Sequence, residues 1–184
     1  MAIPALLDAC VLYPVGLRDT LLNVAEAGFF RPLWSEEILA ETSRNIVEDI
    51  PDLTAEHLEK TFDAMRRAFP EARVRGYEHL IESMPNHPKD RHVLAAAVAG
   101  SADVLVTSNL RHFPPEACEP LGIRVQSPDD FLVEMIELGP GLMVDVLRRQ
   151  AARKARPPLT LAAMLERLVV HAPAFVATLQ MIQR

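Results

Sequence analysis

The sequence predicts an α/β fold, a parallel sheet flanked by helices, and three observations carry that reading. Short apolar runs of strand character alternate with segments of helical periodicity along most of the chain. Such alternation calls for parallel strands joined by right-handed crossovers. The first run, Ile3-Pro4-Ala5-Leu6-Leu7-Asp8-Ala9, reads as a buried strand ending in a carboxylate. A later one, Val104-Leu105-Val106-Thr107, ends in Ser108-Asn109. Two strands that each finish on an acid or amide suggest a functional edge.

The elements follow in order. A helical stripe of Leu17, Leu21, Leu22 and Ala25 runs from about Val15 to Ala27 and stops at Gly28. Phe29 to Trp34 is a short second strand, and Pro32 marks it as irregular or edge-paired, because proline cannot donate to a ladder. Ser35 is an N-cap for a helix to about Glu48, with Glu36 and Glu37 in its favourable first turn. Thr54 caps another helix, whose Leu58, Phe62, Met65 and Phe69 form one apolar face. Arg73 to Tyr77 is a weak third strand. After a proline-punctuated loop, Asp90 opens a short alanine-rich helix, Arg91 to Ala99, ended by Gly100. Val104 to Thr107 is strand four and Ile123 to Gln126 strand five. Ser127-Pro128 then opens a helix to about Leu138.

From Gly141 to Arg184 the periodicity is helical and broken at Pro157-Pro158 and Pro173, which predicts an appended helical hairpin. Its apolar residues (Leu161, Met164, Leu165, Leu168, Val169, Phe175, Val176, Leu179) exceed the needs of one packing face. Part of that surface is therefore expected to cover a partner, and a homodimer would be one way to do so.

Bulk properties exclude several classes. No apolar stretch reaches the roughly 18–20 residues that span a bilayer. The start, Met1-Ala2-Ile3-Pro4, lacks the basic region of a signal peptide, so a cytoplasmic location is expected. Cys10 and Cys118 fit no metal spacing and read as packed small residues. A net charge of −6 argues against broad coating of nucleic acid by a basic surface. It leaves room for a nuclease whose metal site is itself acidic. One local basic strip exists, Arg148, Arg149, Arg153, Lys154 and Arg156, readable as a solvated helix face or as a phosphate track.

Ligands of parallel α/β sheets sit at the carboxyl ends of the strands, where strand order reverses. Asp8 and Asn109 end strands, Glu41 lies early in the helix after strand two, and Asp90 opens the helix before strand four. Each has a plain alternative: a turn or helix cap for Asp8 and Asp90, a surface charge for Glu41. Together at one edge they make an oxygen-lined site suited to Mg²⁺ or Mn²⁺, with no Cys/His cluster pointing to zinc. Such an ion can activate water for attack on phosphorus.

At these residues the chain resembles the PIN-domain family, metal-dependent ribonucleases that include the VapC-type toxins of toxin–antitoxin pairs. The matching pieces are Leu6-Leu7-Asp8-Ala9-Cys10-Val11-Leu12, Ser35-Glu36-Glu37-Ile38-Leu39-Ala40-Glu41, Asp90-Arg91-His92-Val93-Leu94-Ala95-Ala96-Ala97, and Ala102 to Asn109. The resemblance implies a three-layer fold with a five-stranded sheet of order 3-2-1-4-5 and a nuclease domain over residues 1–138, and the helical periodicity beyond it makes 139–184 a helical extension. It implies hydrolysis of single-stranded RNA by Asp8, Glu41, Asp90 and Asn109, with Asp8 and Asp90 holding the metal and Glu41 orienting or deprotonating water. It also implies a small antitoxin protein as partner. Where Asn109 stands the family usually has an aspartate, and Asp103, at the opposite end of strand four, reads as structural. Thr107 or Ser108 could bond a ligand carboxylate or a phosphate, while Arg18, Lys89, Arg111 and His112 flank the cleft.

Two rivals stand beside this reading. A haloacid-dehalogenase-type phosphotransferase would carry a second aspartate two residues after Asp8, where Cys10 stands. A PIN-like module that binds RNA or protein but cuts weakly or not at all is kept open by Asn109.

Overall fold

A computed structural model describes residues 2–50, 52–153 and 159–183. Strand β1 (Ile3–Leu7) leads through Asp8 into the single turn α1 (Ala9–Leu12) and then α2 (Val15–Glu26). β2 (Phe30–Leu33) returns parallel to β1, with Ala5 opposite Pro32. Ser35 then caps α3 (Glu36–Asp49), its hydroxyl accepting from Ile38 N–H at 3.2 Å, and Thr54 caps α4 (Ala55–Ala68) in the same way. α5 (Arg91–Ala99) crosses to the other side of β1, where β3 (Val104–Val106) pairs parallel to it. The turn α6 (Pro115–Cys118) leads to β4 (Arg124–Gln126), parallel to β3.

Among the described residues the sheet order is β2-β1-β3-β4, four strands rather than the five expected. The segment from Arg73 makes only one bridge, to Trp34, with Trp34 N–H on the Ala72 carbonyl at 2.9 Å and Val74 N–H on the Trp34 carbonyl at 2.8 Å. Its place outside β2 is the expected one. It stops there because Gly76 turns the chain at a φ of +72° and a 3₁₀ stretch, Glu78–Ser83, follows. The remaining order, 2-1-4-5 in the predicted numbering, is unchanged.

Packing follows residue size. The buried Ala95, Ala96 and Ala97 let α5 lie close against β1 and β3. Gly100 lies close on the β2 side, since a Cβ there would meet Val74 Cγ2 at 2.8 Å and Leu33 Cδ1 at 3.2 Å. Phe30 of β2 meets Phe131 of α7 (Pro128–Leu138) edge to face at 4.9 Å, joining the sheet to the helix that follows it.

The carboxyl-terminal part is not a hairpin. Its described residues form three helices, α8 (Pro140–Arg153), α9 (Leu161–Leu168) and α10 (Pro173–Ile182), with Pro173 opening a helix rather than only ending one. α8 packs on α2 and α10 on α7, so one buried cluster runs from β1 to α10. Asp129 bolts the last helix down: its carboxylate accepts from Phe175 N–H at 2.8 Å and Ala174 N–H at 3.0 Å, at the end where a negative charge suits the helix dipole. Met164, Leu165, Leu168, Phe175, Val176 and Leu179 are thereby spent inside the chain. Among the described residues of this part, the large apolar side chains left open are Leu142, Val169, Val170, Met181 and Ile182, a smaller surface than the sequence promised.

In the basic strip, Arg153 donates to Glu26 and Asn23 at 3.1 Å, and Lys154 and Arg156 lie outside the described residues. Among the described residues no helix is long and apolar enough to cross a membrane.

Candidate active site

The pairing of Leu7 with Val106 sets Asp8 beside Thr107 at the carboxyl edge of the sheet, between β1 and β3 where strand order reverses. The Asp8 carboxylate is engaged on both oxygens. Oδ1 accepts from Ala9 N–H at 2.7 Å, the cap that starts α1, and Oδ2 accepts from the Thr107 hydroxyl at 2.7 Å. The Cys10 thiol donates to the same Oδ2 at 3.2 Å and lies as close to Ser108 N–H, from which it accepts. Asp8 is only 6% exposed. Burial raises its pKa above the ordinary 3.8, the three hydrogen bonds pull it partly back, and the charge of Asp90 raises it further. A buried carboxylate repelled by a second one is costly without a cation.

Asp90 stands at the N-cap position of α5 but makes no capping hydrogen bond. Its Oδ2 faces His112 Nδ1 at 2.6 Å and Asn109 Nδ2 at 3.3 Å. The plain reading of Asp90 as a helix cap therefore fails. Asn109 is anchored in turn, its N–H donating to Thr107 Oγ1 at 3.0 Å. A continuous chain of contacts runs Asp8, Thr107, Asn109, Asp90.

Glu41 joins this edge through an intermediary, His92, whose Nε2 lies 3.4 Å from Glu41 Oε2 and whose Nδ1 lies 3.8 Å from Glu37 Oε2. The His92 hydrogen bond holds the Glu41 pKa below the ordinary 4.5, against burial that would raise it. Burial by itself would lower the His92 pKa, but the Glu41 hydrogen bond and the charges of Glu37, Glu41 and Asp8 outweigh it and the pKa is raised. His92 lies in the first turn of α5, two residues past Asp90, and so brings Glu41 to the same edge. His92 Nδ1 is buried without a hydrogen-bond partner, with Glu37 Oε2 the carboxylate oxygen nearest it at 3.8 Å.

Some residues are placed otherwise than the sequence suggested. Cys10 is more than a packed small residue: burial and the Asp8 charge push its thiol up to about 12, making it a neutral donor to Asp8 rather than a nucleophile. Arg18 is buried, with Nη1 on the Leu12 carbonyl at 2.8 Å, and is withdrawn from the cleft. Glu37 is more than a helix-start charge, since it faces His92 and accepts from the Tyr77 hydroxyl at 3.3 Å. His92 itself was missed. The available signal was its place two residues past Asp90, in the first turn of α5. Asp103 N–H bonds the Pro4 carbonyl at 2.9 Å, at the far end of β3.

The oxygen donors of Asp8 and Asp90, with the Asn109 amide beside them, fit a hard divalent cation, and the raised pKa of Asp8 marks the charge such an ion would offset. Asn109→Asp tests this. A third carboxylate here is expected to lower Tm without metal and to tighten Mn²⁺ binding about tenfold, because charge count sets affinity in such sites. Calorimetric titration of both forms checks it. Unchanged affinity, with a loss instead from Asp103→Asn, would move the fourth position elsewhere.

Residues 4–111 match the PIN-domain family model, and residues 128–180 match the model of the VapC50 C-terminal domain. A Mycobacterium tuberculosis protein named "Putative ribonuclease VapC50" is 43% identical over 102 residues. That match takes in 55% of this chain and 60% of the relative, so the chain spans less than two thirds of the relative's length. No solved structure matches. The first family match covers more than half of the chain and contains the β1 and β3 edge with Asp8, Glu41, Asp90 and Asn109, and on that ground the chain belongs to the PIN-domain family.

Proposed function

We propose that this protein is a divalent-metal-dependent endoribonuclease that hydrolyses single-stranded RNA as the toxin of a toxin–antitoxin pair. The observation that carries the reading is the convergence of Asp8, Asp90, Asn109 and, through His92, Glu41 on one sheet edge. The family and the ribonuclease name of the relative support a nuclease. The relative's VapC name supports a small antitoxin partner, and the reading places the protein in the cytoplasm.

In this mechanism Asp8 and Asp90 hold Mg²⁺ or Mn²⁺, with Asn109 beside them. When bound, the ion supplies Lewis-acid polarisation of the phosphoryl group and eases deprotonation of water. The rest is done by side chains. Thr107 and Cys10 fix the Asp8 carboxylate through hydrogen bonds of 2.7 and 3.2 Å, so its second oxygen cannot rotate away. Glu41, an ionised carboxylate held by His92, orients the attacking water and accepts its proton. His92 holds Glu41 in place and spreads the proton's charge between two carboxylates. Residues 1–138 carry this chemistry and residues 139–184 are its helical buttress. A homodimer is one way to cover the apolar residues still open there.

The test is cleavage of a single-stranded RNA with Mg²⁺ or Mn²⁺. We expect internal cuts, none after chelation, and at least about a hundredfold loss in Glu41→Gln, the scale of a general base. A second reading, a binding module that does not cut, rests on Asn109. RNA binding without cleavage in either metal would favour it and overturn the first.

A further inference from the structure

We propose that His87, Asp90 and His112 form a binding site for a borderline divalent cation of the zinc class, next to the hard-cation position at Asp8. One donor atom from each of the three side chains lies within 4.8 Å of the other two. Two imidazoles and one carboxylate make the donor set that suits zinc, cobalt or nickel, and they leave a coordination position open. Magnesium, by contrast, is poorly served by imidazole nitrogen.

The backbone that presents these donors is already tied together. His87 N–H donates to the His112 carbonyl at 3.2 Å, which joins the loop before α5 to the loop after β3. Asp90 N–H donates to the His87 carbonyl at 2.9 Å, closing the turn between the two ligands. Asn86, buried to 3% exposure, donates from its side-chain nitrogen to the Asp90 carbonyl at 3.0 Å. The three ligands therefore sit on one braced corner rather than on independent loops.

The side chains are nearly in place. The His87 and His112 rings stack with centroids 3.9 Å apart and planes 8° from parallel, and His112 Nδ1 is 2.6 Å from Asp90 Oδ2. Donors in a tetrahedral zinc site stand about 3.3 Å apart, given metal–ligand distances near 2.0–2.1 Å. Parallel rings point their nitrogen lone pairs side by side, so one ring must turn about its side-chain torsions to converge. Asn109 Nδ2, 3.3 Å from Asp90 Oδ2, supplies the outer hydrogen bond that such carboxylate ligands usually have.

Asp90 is shared with the hard-cation position, and only that neighbouring position rests on the nuclease reading. The test therefore reads the ion and not the reaction. The whole chain is titrated with Co²⁺, a coloured stand-in for zinc, and followed by its visible absorption. We expect a four-coordinate band that saturates at one equivalent, is bleached by Zn²⁺ and survives excess Mg²⁺. His87→Ala and His112→Ala should each weaken Co²⁺ binding by more than about tenfold, as loss of a ligand exceeds loss of an outer contact. Asp8→Asn should leave the band in place. No band, a band indifferent to both histidine changes, or an intense thiolate band removed by Cys10→Ser would overturn the proposal. Circular dichroism on each variant separates lost binding from lost fold. RNA cleavage assayed in the same samples keeps the two readings apart. A cobalt band without cleavage sinks the nuclease alone, and cleavage without a band sinks this site alone.

Discussion

Asp8→Asn is expected to abolish metal-dependent RNA cleavage, by at least about 10²–10³-fold, while making the metal-free protein more stable. The loss follows because removing one charged ligand forfeits several kcal/mol of charge stabilisation, at about 1.4 kcal/mol per decade of rate. The gain in stability follows from burial. Asp8 titrates above its ordinary 3.8 in the fold, so between 3.8 and the raised value the folded chain binds more protons than the unfolded chain. Stability then falls as pH rises through that window, and the cost is present above the raised value. An amide removes it. It can also keep the local bonds, with its oxygen on Ala9 N–H and its nitrogen donating to Thr107 Oγ1, whose own proton can turn to the Cys10 sulfur 3.3 Å away. Thermal melts at pH 7 should show Tm higher by a few degrees, with the difference vanishing below pH 3.8. A fall in Tm at pH 7 would mean that Asp8 serves the fold first as the cap of α1. Full activity would remove it from the reaction.

Ending the chain at Leu138 is expected to abolish the folded state, the largest stability effect foreseen. α8 buries Met143, Val144, Val146 and Leu147, and α10 buries Phe175, Val176 and Leu179; these two helices cover α2 and α7, respectively. Each such side chain contributes roughly 1.5–3 kcal/mol when buried. Together they match or exceed the ~5–15 kcal/mol by which a whole domain is stable. The fragment should aggregate or melt without a cooperative transition. A monomeric, cooperatively melting 1–138 fragment would instead make residues 139–184 a detachable domain.

Much of this was legible in the chain because it was local. Strand and helix periods, the Ser35, Thr54 and Ser127 caps and the Ala95-Ala96-Ala97 contact face depend on neighbours within a few residues, and the structure has them as expected. The alternation of those elements brings Asp8 and Asn109 to one edge, since parallel strands with helical crossovers end on the same side.

What the sequence by itself determined was thus the α/β class with parallel strands and the edge where the acids meet, while the strand order around β1 came from the family resemblance. Tertiary structure decided the rest. The segment at Arg73 carries strand-like residues, yet it pairs once and turns away at Gly76, because a strand needs a partner edge as well as propensity. The apolar helices at the end read as cover for a partner, and only packing assigns most of their faces to α2 and α7. His92 and Cys10 are ordinary residues in the chain, and His112 merely flanks the cleft there. They acquire roles because contacts across dozens of residues set a ring beside Glu41 and Asp90 and a thiol beside Asp8. Charge and burial at such meetings depend on distance in space, which sequence spacing does not encode.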